Sequence, residues 1–227
     1  MIIDIADLRI RINQINERII SGLKDRSRYK LNKDIFSEEF SSGMTWFEYR
    51  LKKEQDLDSE FGRFEFPDQS PIVFKKEELT SPRKQRIIPE TEVKMLSFDI
   101  GKEIIEFYKE ILPELCSEGE ESESYGEIAK LDVSNILLFS ERISGIGKCV
   151  AQAKLQKNPG LKDLQDEEQI KGILADLSRE REVIDEAKRI AEKYELKNPG
   201  LVEKIFKKII ELNTKMQVEY VRSFLNS

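Results

Sequence analysis

Apolar residues recur every three or four positions between Asp4 and Asn32, at Ile5, Leu8, Ile12, Ile15, Ile19 and Leu23, which predicts one long amphipathic helix. A second helix is expected from Thr45, where Glu48 completes a capping box, through Trp46, Tyr49 and Leu51 to Gly62. The pattern then breaks. Residues 64–92 hold four of the seven prolines (Pro67, Pro71, Pro82, Pro89) and no sustained period, which marks an ordered excursion across the surface and a candidate functional loop. Disorder at its basic centre, Lys84 and Arg86, is the competing reading. Helical spacing returns from Met95 through Ile104, Phe107 and Ile111 to Leu115, with Pro113 disturbing the last turn. After an acidic stretch from Ser117 to Ser124 comes the most apolar helix, Leu131 to Lys154, with Ile136, Leu137, Leu138, Phe139, Ile143, Ile146 and Val150. Asn158-Pro159-Gly160 and Asn198-Pro199-Gly200 stop one helix and start another. Asp166 to Ala175, Asp176 to Tyr194 and Leu201 to Phe224 complete the set. No segment alternates with period two for long enough to predict a strand. The expected fold is all-α: a bundle of about seven helices in one domain spanning residues 1–227, with the proline-containing excursion between the second and third.

Composition narrows the chemistry. The 227 residues contain no histidine, which removes imidazole acid–base catalysis, Ser-His-Asp and Cys-His nucleophiles and metal sites that need a nitrogen ligand. Cys116 and Cys149 match no zinc or redox spacing, and so few cysteines fit free thiols in a reducing compartment. With 38 Lys and Arg against 44 Asp and Glu, the net charge is −6 and no basic stripe forms, which disfavours nucleic acid as a partner. The apolar runs are too short to span a membrane and the N-terminus carries no leader pattern, so a soluble cytoplasmic protein is expected.

Polar residues interrupt faces that should be core. Asn213 and Gln217, four apart, break the stripe Val202, Ile205, Phe206, Ile209, Met216, Tyr220 and Phe224, and so point to one place. Arg9, Asn16 and Arg26 fall on or beside the stripe of the first helix, Arg142 lies in the most apolar helix, and Asp176 and Glu180 form a further i,i+4 pair. Each has a bland explanation: an interhelical amide bond, a snorkelling arginine, an acidic N-cap. Taken together they suit a pocket inside the bundle that receives a small polyanion, because buried polar groups need partners.

These residues, in this order, resemble the all-helical chorismate mutases, in particular their larger fungal and plant branch. The likeness runs over some 210 residues: Leu8-Arg9 with Asp25-Arg26-Ser27, Gly62-Arg63-Phe64-Glu65-Phe66-Pro67-Asp68-Gln69-Ser70-Pro71, Tyr125-Gly126, Ser140-Glu141-Arg142-Ile143 with Gly147-Lys148-Cys149-Val150-Ala151-Gln152-Ala153-Lys154, and Gln217-Val218-Glu219-Tyr220. Asp176-x-x-Arg179-Glu180 also resembles the small bacterial enzymes. The resemblance implies a cofactor-free Claisen rearrangement of chorismate to prephenate by a homodimer with one site in each subunit's bundle. It implies Arg9 and Arg142 on the two substrate carboxylates, Lys154 and Gln217 at the ether oxygen, and Glu180 on the ring hydroxyl. Asp176 and Asn213 would orient neighbours, and Arg179 and Lys148 are further substrate-binding candidates. A non-catalytic relative and an isochorismate lyase on the same scaffold are the rival readings.

Three departures from the family pattern bear on the site. Arg142 and Lys154 are twelve positions apart where the family has eleven. At about 100° per residue the extra step turns Lys154 off the face, unless a bulge at Ser144-Gly145-Ile146-Gly147 absorbs it or Lys148 is the true partner. Gln217 stands where the fungal branch has Glu. In the resembling enzymes tryptophan and tyrosine act from a dimer-interface site built on Gly-Ser and paired arginines. Here Arg63 follows Gly62 and Gly126 is followed by Glu127, so little response to either amino acid is expected.

Overall fold

The computed structural model describes residues 3–85, 87–196 and 198–225. Arg86, half of the basic centre of the excursion, lies outside the described residues. Eight α-helices are present among them: α1 (Ile5–Arg26), α2 (Trp46–Glu60), α3 (Gly101–Leu115), α4 (Tyr125–Ser140), α5 (Ile146–Lys157), α6 (Glu167–Leu174), α7 (Leu177–Lys193) and α8 (Pro199–Arg222). A π-helical turn, Glu141–Gly145, joins α4 to α5 without a break. The two therefore form one rod, and the rods number seven. Among the described residues no helix is long and apolar enough to cross a membrane.

The helices form where the pattern places them because their apolar stripes meet in one core. On α8, Val202, Ile205, Phe206, Ile209, Met216 and Tyr220 are buried, as are Ile104, Phe107 and Ile111 on α3 and Ile136, Phe139, Ile143 and Ile146 along the long rod. α8 packs against α5 and α7, and α1 against α4. Helix starts follow the local chemistry: the Thr45–Glu48 capping box opens α2, and Asp166 and Asp176 cap α6 and α7 through the amides of Gln169 and Arg179. Both cysteines are buried and free.

Two boundaries differ from the periodicity. α1 ends at Arg26, not at Asn32. The Arg26 guanidinium is fully buried; Nε donates to Asp132 at 2.7 Å, and its terminal nitrogens donate to the carbonyls of Lys30 and Leu31, both at 2.8 Å. The chain bends back around this charge, and Asn32 adopts left-handed backbone (φ 53°). α3 starts at Gly101 instead of Met95, because Asp99 draws the segment to the excursion, accepting from Gly101 N at 2.7 Å and Val73 N at 3.1 Å. The structure also contains a short antiparallel hairpin, β1 (Glu39–Ser41) and β2 (Met44–Thr45), turned by Ser42 and Gly43 at positive φ. Its paired residues are too few to show alternation.

The excursion is ordered where described. Phe64, Ile72 and Leu79 are buried, and the Gln55 side chain on α2 bonds both N and O of Ile72 (2.7 and 3.1 Å). At Gly147, α5 approaches α8 so closely that a Cβ would lie 2.9 Å from Met216 Cγ and 3.1 Å from Asn213 Nδ2. Gly147→Ala is therefore expected to destabilise the fold by about 1–2 kcal/mol despite alanine's better helix propensity. A urea midpoint equal to that of the wild type would contradict this packing.

Candidate active site

A cavity opens between α1, the long rod, α7 and α8. Arg142, Lys154, Asp176, Arg179, Glu180, Asn213 and Gln217 line it, with Ile12, Val150, Leu174, Val183, Ile210 and Thr214 supplying the remaining wall. Seven of the nine catalytic and substrate-binding candidates from the sequence thus share one site.

The π-turn explains how Arg142 and Lys154 meet. A π-turn takes one more residue than an α-turn, so the twelfth residue is absorbed between them and both side chains return to one face. The bulge occupies Glu141–Gly145, beginning three residues before the expected Ser144. Its backbone is held from across the bundle: Asn213 Nδ2 donates to the carbonyls of Arg142 (3.1 Å) and Ile143 (2.9 Å).

Those carbonyls can only accept, which fixes the polarity of everything downstream. Asn213 must present its amide nitrogen to them and its Oδ1 the other way, where Gln217 Nε2 donates at 2.7 Å. Gln217 must then turn Oε1 towards Lys154, whose Nζ donates to it at 3.1 Å and also to the Leu174 carbonyl. Burial lowers the Lys154 pKa, and Asp176 and Glu180 oppose that shift. One Lys154 proton and one Gln217 amide proton are left for a ligand.

Arg142 is 4 % exposed, and its Nε donates to Asn16 Oδ1 at 3.0 Å. Among the described residues no carboxylate pairs with it. Burial, with the Arg179 charge second, pushes its pKa down to about 10. Arg179 itself reaches Glu182 at 2.8 Å while facing the cavity. Two guanidiniums and an ammonium converge on a space that two carboxylates, Asp176 and Glu180, only partly balance.

Two candidates lie elsewhere. Lys148, six residues before Lys154, is turned about 120° from it; its Nζ donates to the Pro67 carbonyl (3.0 Å) and Ser70 Oγ (2.9 Å), pinning the excursion, and burial pushes its pKa down to about 8. Arg9 is exposed near the start of α1, and Ile12, one turn further in, is the α1 residue on the cavity wall. The three effector-site candidates form no single cluster within the chain. Arg63 is engaged by Asp58 (2.9 Å) and Gln69 (3.2 Å) beside the π-turn, whereas Gly126 and Glu127 are exposed at the first turn of α4. Sequence reasoning missed Thr214 and the Leu174 carbonyl, neither of which carries a signal in the pattern. It placed Asn16 on the stripe but gave it no role.

Fold and cavity together define an all-helical protein with an interior site for a small polyanion. The family model for chorismate mutase type II matches residues 124–218, which include all seven cavity residues named first above. The chain is 28 % identical to the chorismate mutase of Emericella nidulans over 96 % of its own length and 87 % of that protein. It is 25 % identical to the chorismate mutase of Trichoderma parareesei over 98 % and 88 %. Its fold is that of the Candida albicans chorismate mutase solved in complex with L-Trp, with a TM-score of 0.88, 24 % identity and coverage of 99 % of this chain and 92 % of that one. The chain belongs to the all-helical chorismate mutases of the fungal and plant type.

An unpaired charge held in the interior opposes folding. Arg142→Met keeps the bulk and removes the charge, so the variant is expected to be at least as stable as the wild type, by up to about 2 kcal/mol, with unchanged helicity. A urea midpoint well below that of the wild type would show that Arg142 serves the fold.

Proposed function

We propose that the protein is a chorismate mutase, converting chorismate to prephenate. The observation that carries this reading is the buried Arg142 guanidinium, without an acidic partner among the described residues, facing a cavity shared with Arg179 and Lys154. In this [3,3] rearrangement the ether C–O bond breaks while a C–C bond forms, and no proton changes hands. An enzyme contributes by holding the dicarboxylate in its compact reactive geometry and by aiming positive charge and donors at the ether oxygen as charge develops there. Arg142 and Arg179 are the two cations placed to take the carboxylates, a task suited to planar, bidentate guanidiniums. Lys154 and Gln217 offer the donors for the ether oxygen, and Glu180 the acceptor for the ring hydroxyl. Because the π-turn restores the phase of Arg142 and Lys154, the twelve-residue spacing no longer argues for a non-catalytic relative.

The chain works as a homodimer in the cytoplasm on this reading. Support for the dimer comes from apolar side chains exposed around β1 and α2: Phe40, Leu57 and Phe61 are 43, 50 and 67 % exposed, and Phe40 packs at a tilt against Trp46 with ring centroids 4.1 Å apart. Two buried free thiols agree with a reducing compartment.

The test is loss of chorismate absorbance with formation of prephenate, converted by acid to phenylpyruvate; purified protein that does no better than the uncatalysed rate would sink the proposal. Lys154→Ala is expected to lower the rate about ten- to a hundredfold, as loss of a charge-assisted contact should. Lys148→Ala is expected to cost much less. The reverse ranking would mean that the cavity described is not the reaction site.

The pH profile follows from the donors. Lys154 must be charged to act, and burial lowers its pKa, so kcat/KM should fall as pH rises through a value below the 10.5 of a free lysine. From about pH 5.5 up to that fall the profile should be flat, since Gln217 does not titrate and no histidine is present. In Gln217→Glu the new carboxyl needs its proton to satisfy Asn213 Oδ1, so the alkaline fall should move to lower pH. An unmoved profile in this variant would refute the directional chain through Asn213.

A further inference from the structure

Asn16 is 2 % exposed in the middle of α1, and its side chain reaches across to Arg142 in the long rod. The guanidinium has one donor on its stem side, Nε, and two terminal NH₂ groups. Asn16 Oδ1 takes the Nε proton at 3.0 Å, which fixes the plane of the group about its last bond and leaves the terminal nitrogens for the cavity. The amide does this without charge. A carboxylate at the same position could make the same bond with nearly the same shape, but it would form a buried ion pair and cancel the attraction that the cavity exerts on an anion. The acidic groups that line the cavity, Asp176 and Glu180, bear on Lys154, and among the described residues no carboxylate forms an ion pair with Arg142.

We propose that Asn16 is a positioning residue whose neutrality sets the affinity of the site for a substrate carboxylate: it orients Arg142 while keeping its charge uncompensated. The proposal rests on the reaction assigned above and deepens it by naming what makes Arg142 available.

The experiment compares wild type, Asn16→Asp and Asn16→Ser in steady-state chorismate kinetics and in calorimetric binding of prephenate, a dicarboxylate whose binding needs no turnover. Asn16→Asp should raise KM and the prephenate Kd by about tenfold or more, with a smaller change in kcat and no loss of thermal stability. Asn16→Ser, a shorter neutral acceptor, should keep KM within about threefold of the wild type. An Asn16→Asp enzyme with wild-type KM and prephenate affinity would overturn the proposal. So would an Asn16→Ser enzyme whose KM rises about tenfold or more above the wild type, whether or not Asn16→Asp folds. A wild type that neither rearranges chorismate nor binds prephenate would instead remove the reaction itself, and this role with it.

Discussion

The guanidinium of Arg142 has been taken out of water and given a neutral partner, Asn16, and much of the molecule is arranged to make that tolerable. A solvated arginine costs nothing to keep charged, whereas a buried one opposes folding unless its surroundings compensate. The apolar stripes of α3, α8 and the long rod supply the compensation in bulk, as they must in a protein whose net stability is a small difference between large terms. A second buried arginine makes the contrast plain. Arg26 has a carboxylate, two carbonyls and a thiol around its guanidinium, and it serves to turn the chain at the end of α1. One arginine is saturated by the protein and belongs to the fold; the other is left hungry and belongs to the ligand.

The same logic governs the amides. The π-turn shifts its carbonyls out of regular helical bonding, and buried carbonyls need donors. Asn213 donates to those of Arg142 and Ile143, the latter also accepting from Ile146 N, and by doing so dictates which way it and Gln217 face. The irregular backbone and the polar face of α8 are therefore one device. The excursion supports it from the opposite side: the Asp68 carbonyl lies 3.3 Å from where a Cβ on Gly145 would sit, and Arg11 bridges Asp68 and Glu141.

Much of this was legible in the chain. The capping box at Thr45 and the Asp caps of α6 and α7 announce themselves through local chemistry, and the i,i+4 amides of α8 betray a polar site because periodicity makes their misplacement visible. The extra residue between Arg142 and Lys154 was visible as well, though the bulge begins earlier than the glycines suggested, around the two carbonyls that Asn213 holds. What escaped was what periodicity cannot encode. The end of α1 depends on a partner 106 residues away, Asp132; the start of α3 depends on a loop; and the position of Lys148 depends on phase counted from a neighbour. Arg9 lies one turn before Ile12, but its side chain is exposed and Ile12 is the α1 residue that lines the cavity.

The π-turn also decides where this rod can change length. Deleting one of Ile143, Ser144 or Gly145 would return the segment to ordinary α-geometry with Arg142 and Lys154 eleven positions apart, and eleven steps of about 100° again bring both to one face. Length variation at that point is therefore silent in rotation, whereas a deletion between Val150 and Lys154 would turn the ammonium away from Gln217. Lineages could gain or lose a residue in the middle of the most buried helix and keep their chemistry, because the one place where the helix is irregular works as an expansion joint.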